Sequence, residues 1–379
     1  MSTPRSTASD PFAFRSETAN EDAPDRANED ARDRATEDAP DRVTERVEVA
    51  PGVELAIDRW VPVGHAAAPG SAAGEGVSPV AERSAPAAGP PAAAPRPAAP
   101  PATPTFLLVH GLASNARLWD GVAADLAARG LTAATVDLRG HGRSSKPADG
   151  YDIPTVAADL AALIEQAGLG RPVVAGQSWG GNVVLELAAA HPEAVTAIAC
   201  VDGGWLDPQA TFPDWEACLA RLAPPRLAGL PGKEIEAHIR AAHPDWPEAG
   251  IQGTLANFEH RPDGTIAPWL TYDRHIDVLR GMWAFRPAKR YSAVRVPVLL
   301  LPVKPTDAPE PNDSAEPTRR PEPTQAAAAV AAKREAVAVA QAALPRATVH
   351  WSRGDHDIHA QHPAEVAALL VDLAHLATT

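Results

Sequence analysis

Cysteine is scarce in this chain. Cys200 and Cys218 are the only two in 379 residues, so a secreted scaffold stapled by several disulfides is excluded. Positive charge is in deficit, with 34 Lys and Arg against 48 Asp and Glu and a formal net charge of −14. A nucleic-acid binder needs clustered cations that release counterions from phosphates, so that class is excluded, and an anionic membrane surface is disfavoured as a partner. No apolar run approaches the roughly 20 residues of a spanning helix. The first thirty residues carry several acids and no apolar h-region, so no signal peptide is expected. These absences lead to the expectation of a soluble, cytoplasmic protein.

Residues that break regular structure are abundant: 40 Pro and 26 Gly. An eight-residue unit, Ala-Asn-Glu-Asp-Ala-Pro-Asp-Arg in its first copy, occurs three times over residues 19–26, 27–34 and 35–42. It has only alanine to bury, so residues 1–45 are expected to form a solvated, disordered acidic tail. Stretches at about 64–103 and 305–324 are dominated by Ala, Pro, Gly, Glu and Thr. Lacking large apolar side chains, they cannot offset their own ordering entropy and are expected to be insertions outside the core. Apolar alternation from Val47 through Trp60 around Pro51-Gly52 predicts a β-hairpin.

The remaining chain alternates strand and helix. Phe106-Leu107-Leu108-Val109 is a short continuous apolar run, suited to a strand buried on both faces. Helices are expected over 116–128, 155–167, 182–190, 326–343 and 363–376, and strands over 134–137, 172–175, 195–201, 296–301 and 347–351. This order predicts an α/β fold with a mostly parallel central sheet flanked by helices. Residues 46–379, less the two insertions, make one domain of ordinary enzyme size.

Gly176-Gln177-Ser178-Trp179-Gly180 lies directly between a predicted strand and a predicted helix. A tight strand-to-helix turn needs small neighbours and lifts a serine hydroxyl above the sheet edge. The competing role for Ser178 is that of a plain helix cap. His110-Gly111-Leu112 ends one buried strand, and Asp137-Leu138-Arg139-Gly140-His141-Gly142 ends the next. Before the last helix, Asp355-His356-Asp357-Ile358-His359-Ala360-Gln361-His362-Pro363 offers three histidines. A zinc site there is disfavoured, because adjacent side chains point apart and no remote ligand cluster completes it. No metal and no organic cofactor is expected.

Taken together, these segments resemble the serine-nucleophile branch of the α/β-hydrolase superfamily over about residues 46–379. The resemblance implies that fold, with a helical lid inserted at about 204–290 after the sixth core strand. It also implies Ser178 as nucleophile and the backbone amides of Leu112 and Trp179 as the oxyanion hole. The family places its catalytic histidine seven residues before the proline that opens the final helix, which selects His356 over His359 and His362. His110 and His141 then brace turns. For the acid there is a choice. The common family position corresponds to Asp307, but here it lacks the usual glycine and leads into an insertion. Asp202 ends a buried strand, as in haloalkane dehalogenases, and is favoured over Asp307, with Asp355 and Asp357 behind. Its competing role is a structural strand-end carboxylate. Of nine tryptophans, Trp205, Trp215, Trp246, Trp269 and Trp283 fall in the lid region, some closing it and some lining a pocket.

The activity so implied is hydrolysis of an ester, less readily an amide, of a small, partly apolar substrate through an acyl-enzyme. A proline-iminopeptidase-like peptidase and an acyltransferase are the alternatives of the same class. A non-catalytic ligand receptor or scaffold on this fold is the alternative of another class.

Overall fold

The structure is a computed structural model, which describes residues 41–62, 105–304 and 325–378. The insertions expected at 64–103 and 305–324, and Asp307 with them, lie outside the described residues, as does nearly all of the acidic repeat.

Twelve strands are present among the described residues: β1 (Asp41–Ala50), β2 (Val53–Val61), β3 (Thr105–Val109), β4 (Thr132–Asp137), β5 (Val173–Gln177), β6 (Ala197–Val201), β7 (Phe258–His260), β8 (Ile266–Pro268), β9 (Val298–Leu301), β10 (Val303–Lys304), β11 (Ala347–Val349) and β12 (Ser352–Arg353). Eight of them form one sheet in the order β1-β2-β4-β3-β5-β6-β9-β11. Only β2 runs against its neighbours, and the other pairings from β4 to β11 are parallel. The hairpin expected at Pro51-Gly52 joins β1 to β2.

Each central strand is apolar on both faces, and its residues alternate between two cores. Leu107, Val109, Val174, Ile198 and Cys200 face one side. Phe106, Leu108, Val173, Ala175, Ala199 and Val201 face the other. Helices α1 (Asp120–Ala128), α2 (Ile153–Gln166) and α3 (Trp179–Ala190) follow their strands in crossover positions. After β6 come α4 (Pro208–Thr211), α5 (Trp215–Leu222), α6 (Gly232–Ala242), α7 (Glu248–Leu255) and α8 (Tyr272–Ala284). The chain closes with α9 (Gln325–Ala343), α10 (Ile358–Gln361) and α11 (Pro363–Thr378). Helices α2, α3 and α9 cover the first face, while α1 and α11 cover the second. No described helix is long and apolar enough to cross a membrane.

Strand β1 begins at Asp41, inside the tail expected over residues 1–45. Its first half shows no apolar alternation, since it is an edge strand held by polar contacts: Arg42 to Asp120 at 3.0 Å, Thr44 to Asp58 at 2.5 Å and Arg59 to Glu45 at 2.5 Å. An exposed edge strand gains little from buried side chains, so a pattern search built on burial misses it.

Between β6 and β9 the helices α6 and α7 and the β7-β8 hairpin build a separate small core, while Cys218 of α5 and Val278, Leu279 and Met282 of α8 join the first main core. Leu227, Ile235, Ile239, Trp246, Ile251, Leu255 and Ile266 pack there with Leu118 and Ala360 from the main domain. The tryptophans divide as follows. Trp205 joins the main core, Trp215 and Trp283 meet edge to face at 5.9 Å, and Trp269 lies under the Lys146 ammonium at 5.1 Å.

Candidate active site

Three neighbouring strands, β3, β5 and β6, end at the same sheet edge. Just beyond each lies a non-glycine residue with positive φ: Ala113 at 58°, Ser178 at 53° and Asp202 at 43°. They are the three such residues among those described. Left-handed backbone costs an ordinary residue of order 1 kcal/mol or more, and it persists where surrounding bonds over-determine it. Here those bonds are visible. The Ser178 amide donates to Val201 O of β6, and the Asp202 amide donates to Leu301 O of β9, both at 2.9 Å. The sheet ladder therefore continues one residue past each strand and pins both side chains.

The elbow at Ser178 explains its glycines. A Cβ at Gly176 would sit 2.2 Å from Gly180 O, and one at Gly180 would sit 2.4 Å from His110 O. The helix-cap role fails for Ser178. Its φ of 53° and ψ of −119° are not those of an ordinary N-cap, and its side chain makes no capping bond to α3. The hydroxyl is thus left for other work, on a half-buried residue.

His356 lies on the loop between β12 and α10. Its Nδ1–H donates to Asp202 Oδ2 at 2.7 Å. That bond fixes the tautomer and leaves Nε2 with its lone pair free of a proton. Gln177, the residue before Ser178, donates from Nε2 to His356 O at 3.2 Å and ties the histidine loop to the elbow. Asp202 is almost wholly buried. Desolvation alone would raise its pKa, but the bonds from His356 and Lys333 outweigh that and hold the carboxyl below the ordinary aspartate value. For His356, desolvation opposes the charged form, yet the Asp202 hydrogen bond and the Asp357 and Asp202 charges prevail and raise the imidazole above its ordinary value.

The other sequence candidates fall elsewhere. His359 is fully buried against the Trp119 ring at 4.3 Å, and burial, with the nearby His356 and His110, pushes it down to about 3. His362 is exposed at the end of α10. Asp355 accepts from Trp246 Nε1 at 2.8 Å, so it links the histidine loop to the inserted helices rather than to the imidazole. Burial raises the Asp357 carboxyl above its ordinary value. His110 and His141 brace turns. The His110 ring accepts from the Leu138 amide through Nε2 and faces Gly111 O through Nδ1, while His141 accepts from Ala113 N and faces Arg139 O. Burial holds both below the ordinary imidazole value, so neither is suited to carry a proton.

Trp179 is the first residue of α3, so its amide is among those without an acceptor inside the helix. Leu112 follows β3 in a turn whose neighbour Gly111 lies beside the elbow. A Cβ at Gly111 would sit 3.2 Å from Ser178 Cβ. The same edge of the sheet carries the Ser178 hydroxyl, the N-terminus of α3 and Asp202 with its bond to the His356 imidazole. Among the described residues, no three His, Cys, Asp or Glu side chains converge as a metal site requires. One participant escaped the sequence reading: Lys333 of α9, whose Nζ lies 2.8 and 2.9 Å from the two Asp202 oxygens. Its signal was a lone Lys-Arg pair in an alanine-rich helix, which has meaning only once the buried face of that helix is known.

The alpha/beta hydrolase fold family matches residues 104–234. A 2-(acetamidomethylene)succinate hydrolase of Mesorhizobium japonicum is 29% identical over 199 residues, which span 52% of this chain and 69% of that protein. Epoxide hydrolase A of Mycobacterium tuberculosis is 30% identical over 183 residues, 44% of this chain and 56% of that one. Among solved structures, that of an E-2-(acetamidomethylene)succinate hydrolase superposes with a TM-score of 0.60 at 19% identity, covering 88% of this chain and all of that one. These relatives are hydrolases, which supports hydrolase activity here. With the sheet order, the elbow and these matches in agreement, the chain has the α/β-hydrolase fold.

Proposed function

We propose that this protein is a serine hydrolase that cleaves an ester, less readily an amide, of a small and partly apolar substrate through an acyl-enzyme on Ser178. The observation that carries the proposal is the 2.7 Å bond from His356 to the buried Asp202, one residue beyond the strand next to that of Ser178. In this reading His356 Nε2 takes the proton of Ser178 Oγ as the oxygen attacks the substrate carbonyl. The Asp202 carboxylate stabilises the imidazolium and holds its orientation. The amides of Leu112 and Trp179 face the oxyanion, where fixed donors are worth more than water that must reorganise. Collapse breaks the ester bond, and His356 returns the proton to the leaving alcohol. Water then repeats the sequence on the acyl-enzyme.

A panel of p-nitrophenyl esters of rising chain length tests the proposal, with prolyl-naphthylamide, an acyl acceptor alcohol and an amide-bearing dicarboxylate alongside. Preferential turnover of an ester supports it. Release of the amine from prolyl-naphthylamide as the preferred reaction would assign a peptidase, transfer to the alcohol in place of hydrolysis would assign an acyltransferase, and no turnover of any would favour a receptor. Because His356 must be neutral to accept the serine proton and its pKa is raised, kcat/KM is expected to fall as pH drops through a midpoint above the ordinary imidazole value. A midpoint near the ordinary carboxylate range would assign the base to another residue.

A further inference from the structure

Helix α9 carries its buried residues at helical spacing. Val337, Ala340 and Leu344, just past its end, are buried against the main core. One turn before Val337 the same stripe holds Lys333, a charged residue at a position that calls for an apolar one. Its side chain is 29% exposed, and all three of its hydrogens are committed. Two go to Asp202, at 2.8 Å from Oδ1 and 2.9 Å from Oδ2, and one goes to Val303 O at 2.7 Å. Asp202 Oδ1 also accepts from the Val303 amide at 3.0 Å, while Oδ2 accepts from His356. The carboxylate is thus saturated, and its plane is set by Val303 and Lys333 before the histidine meets it. Arg334, the next residue, instead lies over the Trp351 ring at 5.4 Å, so the placement is particular to Lys333.

We propose that Lys333 is a positioning residue for the Asp202–His356 pair, aiming Oδ2 at Nδ1 and tempering the negative charge that Asp202 presents to the imidazole. An acid that interacts with a lysine and a histidine at once stabilises the imidazolium less than an acid that serves the histidine alone. The ammonium also repels the imidazolium directly. The two effects have the same sign, and both make His356 a weaker base that is neutral over a wider pH range. Asp357 opposes them from the histidine's own loop, with Asp355 beyond it. The remaining titratable groups near the pair, His359, His110 and His243, belong to α10, the turn after β3 and the end of α6. His359 and His110 are held neutral by burial. The inference rests on His356 being the base for Ser178, but its structural half does not depend on the substrate.

The test compares Lys333→Met, Lys333→Gln and Lys333→Arg in the full chain, with two readouts. One is the titration of His356 by NMR in histidine-labelled protein, assigned with His356→Asn. The other is the pH profile of kcat/KM on a p-nitrophenyl ester. Lys333→Met and Lys333→Gln are expected to move the His356 midpoint and the acidic limb of kcat/KM upward by roughly one pH unit. They should also lower kcat about tenfold with little change in KM, as expected when orientation rather than binding is lost. Lys333→Arg keeps the charge and should stay near wild type in both midpoints. If Lys333→Met does not fold, the Gln and Arg variants carry the same comparison. A His356 midpoint unmoved by loss of the charge, or an Arg variant no closer to wild type than Gln, would overturn the proposal. If the wild type turns over no ester while its His356 midpoint still responds to Lys333, the serine-hydrolase reading fails and the coupling stands.

Discussion

Ser178→Ala is expected to lower ester turnover by about 10⁴–10⁶-fold while leaving the thermal midpoint nearly unchanged. The two halves of this expectation have separate causes. Turnover falls because the proposed mechanism has no second nucleophile, and what remains is the modest acceleration from binding and oxyanion stabilisation. Stability holds because the Ser178 side chain makes no capping bond, and its backbone bonds to Val201 and Gly181 belong to the main chain. Alanine at φ 53° meets about the same steric cost as serine, so strain is neither relieved nor added. Steady-state turnover and a thermal melt on the same preparation check both halves. Turnover within tenfold of wild type would remove Ser178 from the chemistry. A large drop in melting temperature would return it to a structural role.

Asp202→Asn is expected to cost about 10³–10⁴ in turnover, and the surroundings of the carboxylate say why an isosteric change is so damaging. The Val303 amide donates to Oδ1 and cannot change its role, while Lys333 donates to both oxygens, so the asparagine carbonyl oxygen takes the Oδ1 place where two fixed donors meet it. That turns the amide NH₂ toward His356. An NH₂ group cannot accept from Nδ1–H, so it favours the tautomer with the proton on Nε2, the wrong one for taking a proton from serine. The substitution also strips Lys333 of its counter-charge. With the lysine partly exposed, that loss is expected to cost about 1–3 kcal/mol of stability. Unlike Ser178→Ala, this variant should therefore melt measurably lower. Turnover and melting curves check it. Wild-type turnover in a folded Asp202→Asn would reduce Asp202 to a structural strand-end residue.

Much of this arrangement is legible in the chain before any coordinates. The elbow is readable because backbone approaches of 2.2 and 2.4 Å leave room only for glycine at 176 and 180, so chemistry and sequence are tightly linked there. The strands are readable because each is apolar on both faces, and the histidine because its distance to Pro363 is set by the short helix α10. Asp202 is readable only as the favoured one of four candidates, with Asp307, Asp355 and Asp357. Its claim rests on the rigidity of a strand end, and the structure brings it, among the described residues, to the 2.7 Å contact with His356. Lys333 was not readable, because an isolated lysine in an alanine-rich helix looks solvent-facing until the buried stripe through Val337 and Ala340 is known. The start of β1 was missed for the opposite reason, since Arg42, Thr44 and Glu45 are held by ion pairs and hydrogen bonds that leave no hydrophobic period.

The most direct test of the central claim is covalent labelling of the full chain with a fluorophosphonate, followed by peptide mass mapping. The phosphonyl group is captured only by a serine oxygen that a neighbouring base can deprotonate while amides stabilise the developing charge, which are the three features the proposed mechanism assigns to Ser178 and its surroundings. The expected result is one adduct per chain, on the peptide containing Ser178, absent in Ser178→Ala and formed far more slowly in His356→Ala than in His359→Ala. No adduct on the folded wild-type protein, or an adduct on any other residue, would contradict the account.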